Sequence, residues 1–120
     1  MTINNDYLTD GEKKTLSFFA NMIGKQEKIF IDQINHATIK SETDPYSMFI
    51  RFTVNKKQCK KIKGFRFDST IQVLHEDGDC TCMIMFIRDG FITEFEVFHK
   101  YYYLELNYDK ICFGKMIKEI

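Results

Sequence analysis

Several features are scarce or missing in this chain of 120 residues, and each absence excludes a class of protein. A single Pro argues against a Pro-rich linker or recognition tail. The longest apolar run, CMIMFI, is far shorter than the roughly 20 residues that a membrane-spanning helix needs. The first residues, MTINNDYLTDGEKK, lack the basic start and apolar run of a secretory signal. We therefore expect a cytoplasmic protein without a membrane segment.

Cysteine and glycine are also used sparingly. The four cysteines have neither the density nor the regular spacing of a secreted disulfide framework, so we expect four reduced thiols, Cys59, Cys80, Cys82 and Cys112. The glycine-rich loops that bind phosphates, GxGxxG and GxxxxGK, do not occur in the sequence.

The net charge is zero, but it is distributed unevenly along the chain. The first 64 residues carry eleven Lys or Arg and seven Asp or Glu, whereas the last 56 carry six and ten. This split predicts a dipolar surface and a charged partner. Zero net charge counts against nucleic acid as the main ligand.

Helical patterns come first in the sequence, and strand patterns follow. Thr9 or Asp10 can cap a helix whose apolar residues recur at helical spacing until Gly24. A shorter pattern in EKIFIDQINHA predicts a second helix that leads into a strand at ATIKS. The alternation in YSMFIRFTV predicts a half-buried antiparallel strand, and the Lys-rich NKKQCKKIKG predicts an exposed connection.

Residues 69–99 have the pattern of a β-meander. Three strands, STIQVLHE, DCTCMIMFIR and FITEFEVFH, are joined by two-residue turns at Asp77-Gly78 and Asp89-Gly90, which suit the positive φ angles of a type I′ turn. The final YYYLELNYDKICFGKMIKEI predicts one more strand and a short terminal helix. The sequence therefore predicts one α+β domain over residues 1–120, with the N-terminal helix or helices packed on one face of an antiparallel sheet with a C-terminal β-meander.

Two-residue turns fix the register of the meander and hence the two faces of its sheet. They pair Ile84 with Phe95, and Cys82 with both Val73 and Val97. The predicted core face consists of Ile71, Val73, Cys80, Cys82, Ile84, Phe86, Phe95 and Val97. The opposite face consists of Gln72, Leu74, Thr81, Met83, Met85, Ile87, Ile92, Glu94 and Glu96.

Glu94 and Glu96 are the candidate functional pair on that opposite face. Their spacing sets the two side chains about 7 Å apart, which suits acid–base chemistry or a divalent cation, but no third ligand is recognisable. A solvated sheet face is the simplest interpretation. A protein-binding face is the functional one, because Met83 and Met85 make the same surface apolar and adaptable.

Other residues suggest chemistry, and each set has a simpler explanation. His75, Cys80 and Cys82 resemble a metal set, yet Cys-x-Cys is not the usual zinc spacing, and buried thiols explain it as well. No flanking sequence supports a thiol nucleophile, and His36 is most simply a strand-entry or a packing residue. We expect no catalytic residue, no cofactor and no metal.

The charged segments leave an alternative function open. Five Lys within residues 56–63, with Phe65 and Phe67 nearby, fit a small nucleic-acid-binding or regulatory domain, although a solvated connection is the usual explanation. The stretch HEDGD places Glu76, Asp77 and Asp79 at a predicted hairpin tip. The simple interpretation is a polar, solvent-exposed turn, and the functional one is a negative cluster that binds a basic partner.

Two stretches carry a resemblance to a known family. FIDQINHATI, residues 30–39, places a Gln-containing helix end before a strand, and FIRDGFITEFEVF, residues 86–98, is a late hairpin with an acidic second strand. Together they resemble bacterial immunity proteins encoded beside polymorphic toxins, including those of contact-dependent growth inhibition. The segment KSETDPYSMFI departs from the pattern of that group.

The resemblance implies a non-enzyme that binds and blocks a cognate toxin domain, commonly a nuclease with a basic cleft. The Lys cluster is the alternative contact if the toxin is blocked away from its active site. Separately, an exposed edge strand near YYYLEL would allow two copies of the chain to pair as a homodimer. The expected toxin-binding residues are Glu76, Asp77, Asp79, Met83, Met85, Glu94 and Glu96.

Overall fold

The structure is a computed structural model, and it describes residues 2–22, 24–64, 81–99 and 105–106, together with the backbone of residues 69–76 and 115–119. Two helices come first, α1 Asp10–Met22 and α2 Glu27–Asn35, separated by a 3₁₀ turn at Gly24–Gln26. The strands are β1 Ala37–Ser41, β2 Ser47–Val54, β3 Ser69–Glu76, β4 Thr81–Arg88, β5 Phe91–His99 and β6 Lys115–Glu119. They form an antiparallel sheet in the order β1-β2-β5-β4-β3-β6.

This architecture confirms the predicted α+β class. The strands β3, β4 and β5 are neighbours in sequence order, as expected for a meander. Asp89 and Gly90 have φ angles of 49° and 82°, as a type I′ turn requires. The further strand after β5 is confirmed by β6, and residues 115–119 are therefore not the predicted terminal helix. Neither of the two described α-helices has the length and apolarity needed to cross a membrane.

Helix α1 begins with a capping box that also ties it to the sheet. The Thr9 amide donates to Glu12 Oε1 at 2.9 Å, and the Glu12 amide donates to Thr9 Oγ1 at 3.2 Å. The other carboxylate oxygen of Glu12 accepts the hydroxyls of Ser41 at 2.6 Å and Thr43 at 3.0 Å. Glu12 is 2% exposed, and these bonds offset the cost of burying its charge. The start of α1 is thereby fixed against the end of β1.

The core lies between the two helices and one face of the sheet. Phe19 of α1 packs against Phe30 of α2 and Phe95 of β5, with ring centroids 5.6 and 5.3 Å away. Aromatic pairs at such distances add to the stability gained by burial. The sheet contributes alternate residues of its central strands to this core: Met48, Ile50, Phe52, Val54, Met83, Met85, Ile87, Ile92, Phe95 and Val97.

A β-bulge in β5 changes the register that the turn alone predicts. The ladder pairs Ile87 with Ile92 and then Phe86 with Glu94, so Thr93 is an extra residue on β5. The Thr93 hydroxyl donates to the Phe86 carbonyl oxygen at 3.2 Å. Because side chains alternate along a strand, one extra residue exchanges the faces of everything beyond it.

The bulge makes the predicted facing of β4 wrong. Met85, rather than Ile84, pairs with Phe95, and the ladder between β3 and β4 is shifted by one residue in the same way. Met83 and Met85 are fully buried under the helices, whereas Ile84 and Phe86 lie half-buried on the other face. Four residues predicted on the acidic face are instead part of the core: Met83, Met85, Ile87 and Ile92.

Candidate functional site

The face of the sheet opposite the helices is the candidate functional surface. Its described side chains come from the three neighbouring strands β2, β5 and β4, and their pairing aligns them in three rows. We call this surface the outer face; its rows are Arg51–Glu94–Phe86, Phe49–Glu96–Ile84 and Ser47–Phe98–Cys82. Glu94 and Glu96 therefore occupy the middle strand, flanked mainly by apolar side chains.

Glu94 and Glu96 differ in their surroundings. Glu94 lies 4.0 Å from Arg51, whose guanidinium is also 5.4 Å from the centre of the Phe49 ring. Glu96 lies between Phe49 and Ile84 and is half-buried. Burial, and then the charge of Glu94, raises the pKa of the Glu96 carboxyl. Among the described side chains, no cation lies within ion-pair distance of Glu96.

A shallow groove of about 260 Å³ is lined in part by Glu96. Its walls are mostly apolar, with Glu96 as the charged group. Such a groove fits a long aliphatic side chain that ends in a positive charge, because the stem contacts carbon and the head reaches the carboxylate. The groove is lined by Ser47, Met48, Phe49, Glu96, Val97 and Phe98.

The structure locates some of the sequence-predicted contact residues and corrects two. Glu94 and Glu96 lie together on the outer face, as predicted. The predicted exposure of Met83 and Met85 is wrong, because both side chains are 0% exposed in the core. Asp77 and Asp79 lie outside the described residues, and of Glu76 only the backbone is described. Phe49, Phe86 and Phe98 were not among the predicted contacts.

Among the side chains that the structure describes, the two glutamates lack the further groups that metal binding would require. In the part of the chain that the structure describes, the one cluster of three metal-ligating side chains lies elsewhere. Two carboxylates alone provide too few ligands for a calcium or magnesium site. The outer face has aromatic, aliphatic and acidic groups side by side.

The Lys-rich segment forms an exposed loop between β2 and β3. All five lysines are exposed, and two of them have partners in the described residues. Lys56 lies 5.5 Å from the centre of the Phe91 ring, and Lys61 Nζ lies 3.3 Å from Asp89 Oδ1. A groove of about 180 Å³ runs beside this loop, and its lining includes Lys56, Arg88 and Phe91. Phe65 and Phe67, which the sequence places nearby, lie outside the described residues.

A second cluster of reactive side chains lies where this loop meets α2. The His36 ring nitrogen Nδ1 is 3.2 Å from Asp32 Oδ1 and 2.9 Å from the Asp32 carbonyl oxygen. Cys59 Sγ lies 3.9 Å from the same carbonyl oxygen. Burial, and then the neighbouring Asp32 charge, raises the pKa of the Cys59 thiol. A raised pKa disfavours the thiolate in the metal-free protein.

Sequence reasoning missed this cluster. Asp32 and His36 are four residues apart at the end of a predicted helix. This spacing, which is visible in the sequence, indicates that the two side chains lie on the same side. His36 directly precedes β1, as the strand-entry interpretation predicts, and it is exposed rather than packed in the core. Cys59 is far along the chain, so only the fold brings it close.

Comparison with protein-family models, with curated proteins and with solved structures finds no match to this chain.

Proposed function

We propose that this chain is a cytoplasmic immunity protein that binds a cognate toxin domain, a nuclease, and neutralises it by protein–protein contact through the outer face. In this proposal the protein is not an enzyme and uses no cofactor. The toxin class rests on the sequence resemblance, and the contact surface rests on the geometry of the sheet.

The apolar content of the outer face supports a protein partner. Phe49, Phe86 and Phe98 are half-buried and lie on three neighbouring strands, together with the half-buried Ile84. Aromatic side chains that are partly exposed on a rigid sheet supply contact area at little cost in conformational entropy. Groups of this kind are enriched in the centres of protein interfaces.

The half-buried Glu96 is the single observation that carries the proposal. Its carboxylate is partly desolvated, stands beside the like-charged Glu94, and has no cation partner among the described residues. Such a group lowers the stability of the free protein when it is ionised. A cation supplied by a partner would compensate this cost, so the unfavourable placement in the free protein becomes favourable in the complex.

The chemistry of the outer face also indicates what the partner presents. A basic side chain, Arg above all, can place its stem in the groove beside Phe49 and Phe98 and its guanidinium on Glu96. Nucleic-acid-cleaving toxins carry such residues in their substrate clefts because they bind phosphates. An acidic and aromatic surface is a suitable complement to that kind of cleft.

Co-expression tests this function. The chain is expressed with the product of the adjacent upstream gene, and the readouts are a co-purifying complex and the growth of the host. We expect a one-to-one complex and restored growth. Absence of both binding and protection would remove the immunity function.

Matched charge reversals test the contact surface within the same system. Glu96→Arg should weaken the complex about 30-fold or more, as expected for a desolvated charge pair. The control is Asp6→Arg, because Asp6 is exposed in the N-terminal segment that packs on α2. Equal affinity of the two variants would exclude the outer face while leaving the immunity function in place.

Nucleic acid binding through the Lys-rich loop is the second candidate. It is favoured by five exposed lysines on one loop and by the groove that Lys56, Arg88 and Phe91 line. If this function holds, affinity for RNA or DNA should fall steeply with salt, and Lys56→Ala should reduce the slope by about one. Affinity weaker than about 1 mM at low salt would exclude it.

A further inference from the structure

Three side chains of different chemistry converge where α2 ends. Asp32 offers a carboxylate oxygen, His36 an imidazole nitrogen and Cys59 a sulfur, and all three ligand atoms lie within 4.8 Å of one another. One nitrogen, one oxygen and one sulfur together are a donor set suited to a borderline-soft divalent cation. We propose that these residues form a Zn²⁺ site that joins α2 to the Lys-rich loop.

The nitrogen and oxygen ligand atoms already have the spacing of tetrahedral zinc, and the sulfur lies near it. Usual zinc bond lengths in a tetrahedron separate neighbouring ligand atoms by roughly 3.3–3.6 Å. The Nδ1 of His36 and the Oδ1 of Asp32 are already 3.2 Å apart. The sulfur of Cys59 needs a shift of no more than about 1.5 Å to reach the same spacing, which is within the range of a side-chain rotation at a half-buried position.

The donor set also selects among metals. Calcium and magnesium take oxygen ligands and are poorly served by sulfur and imidazole. Zinc accepts all three donors, and three protein ligands leave a fourth position for water. The side chains of His36 and Asp32 are 45% and 37% exposed, so water reaches the site from solvent.

The chain holds the ligands in place from both sides. Asp32 lies in the last turn of α2, and His36 caps the C-terminal end of that helix four residues later. Two hydrogen bonds anchor the loop on either side of Cys59. On the N-terminal side, the Asn55 amide donates to the His36 carbonyl oxygen at 3.0 Å. On the C-terminal side, Gln33 Nε2 donates to the Lys60 carbonyl oxygen at 2.7 Å. A site positioned in this way loses little entropy when a metal binds.

A purely structural role makes a different prediction. The bonds from His36 and Cys59 to the Asp32 carbonyl oxygen could serve only to finish the helix and seat the loop. Such an arrangement would have no affinity for metal. The zinc site departs from the sequence expectation of no metal, and it is independent of the proposed toxin contact on the outer face.

Cobalt titration of the reduced, full-length chain tests the site. Co²⁺ reports tetrahedral coordination by its visible absorption and a bound thiolate by a charge-transfer band in the near ultraviolet. We expect both signals to saturate at one Co²⁺ per chain and to disappear when Zn²⁺ is added. Absence of these signals in the wild-type chain would overturn the proposal.

Variants and alkylation assign the ligands. Cys59→Ser should abolish the charge-transfer band and weaken Zn²⁺ binding at least tenfold, whereas the control Cys82→Ala should retain both. In the wild-type chain, Zn²⁺ should protect Cys59 from iodoacetamide more than the other three cysteines, which mass spectrometry measures for each peptide without any variant. A band that survives in Cys59→Ser, or protection of another cysteine instead, would contradict this ligand set.

Discussion

The buried side chain of Gln33 holds the hairpin turn at Gly90, because its Nε2 donates to the Gly90 carbonyl oxygen at 3.0 Å. The same nitrogen donates to the Lys60 carbonyl oxygen at 2.7 Å, and Oε1 accepts the Ile92 amide at 3.0 Å. Gln33 is 0% exposed. One residue of α2 therefore satisfies backbone groups of the loop, the turn and the start of β5. The Gly90 carbonyl oxygen also accepts the Ile62 amide at 2.8 Å.

Replacing Gln33 by Met should destabilise the protein strongly. Met keeps the length of the side chain but leaves the Ile92 amide and the Lys60 carbonyl without this partner, so we expect a loss of about 2–4 kcal/mol in the free energy of unfolding. Urea denaturation measures it. The control is Gln58→Met at an exposed loop position, where a change within about 0.5 kcal/mol is expected. A similar loss in both variants would show that the buried bonds contribute little.

Gly90→Ala should cost more than Gly24→Ala, although both glycines have positive φ angles, 82° and 66°. A Cβ at Gly90 would lie 2.7 Å from Lys61 Cβ, whereas a Cβ at Gly24 would meet nothing within 4 Å. The left-handed conformation costs each alanine about 1–2 kcal/mol, and the clash adds about 1–3 kcal/mol at Gly90 alone. Denaturation of the two variants separates the two contributions. Equal losses would mean that the loop moves aside freely.

Glu96→Gln should raise stability at neutral pH. Because burial and Glu94 raise the pKa of Glu96 in the folded state, the folded chain binds the proton more tightly than the unfolded chain does. The free energy of unfolding of the wild type therefore falls as pH rises from the unfolded pKa through the folded pKa. The gain in Glu96→Gln should be absent well below that window and fully present above it, at about 0.5 kcal/mol or less for a partly exposed site.

Denaturation at several pH values measures this difference. The control is Glu42→Gln, which removes an exposed carboxyl outside the outer face and is measured in the same way. A stability gain that is equal at low and neutral pH would mean that hydrogen bonding or packing, and not the charge, is responsible. A loss at neutral pH would contradict the assigned cause.

The sequence allowed the local features of the fold to be predicted because each has a local physical cause. The capping residue Thr9 and the positive-φ residue Gly24 delimit α1, and the Asp89-Gly90 pair specifies its turn. The alternation of apolar and polar residues in β2 correctly gives its buried face. These signals lie within a few residues of the feature that they determine.

The facing of β4 could not be predicted in this way. The strand TCMIMFIR is apolar at nearly every position, so neither of its faces is marked as the core by the sequence. Its register depends on the bulge at Thr93 and on which side chains fill the space beneath the helices. The cluster of Asp32, His36 and Cys59 was likewise hidden, because it needs a contact across 27 residues of chain.

Alanine substitution along β4 should reveal that facing directly. Met85 is 0% exposed beneath the helices, so Met85→Ala removes buried volume and should lower the free energy of unfolding by about 2–5 kcal/mol. Ile84 is half-buried on the outer face, so Ile84→Ala should cost about 1 kcal/mol, in line with an average substitution. The proposed toxin complex should respond in the opposite order: Ile84→Ala should weaken it, and Met85→Ala should leave its affinity unchanged in chains that remain folded. The reverse pattern in both measurements would show that Ile84 is buried in the core and Met85 lies on the surface. The assignment of the outer face would then be wrong.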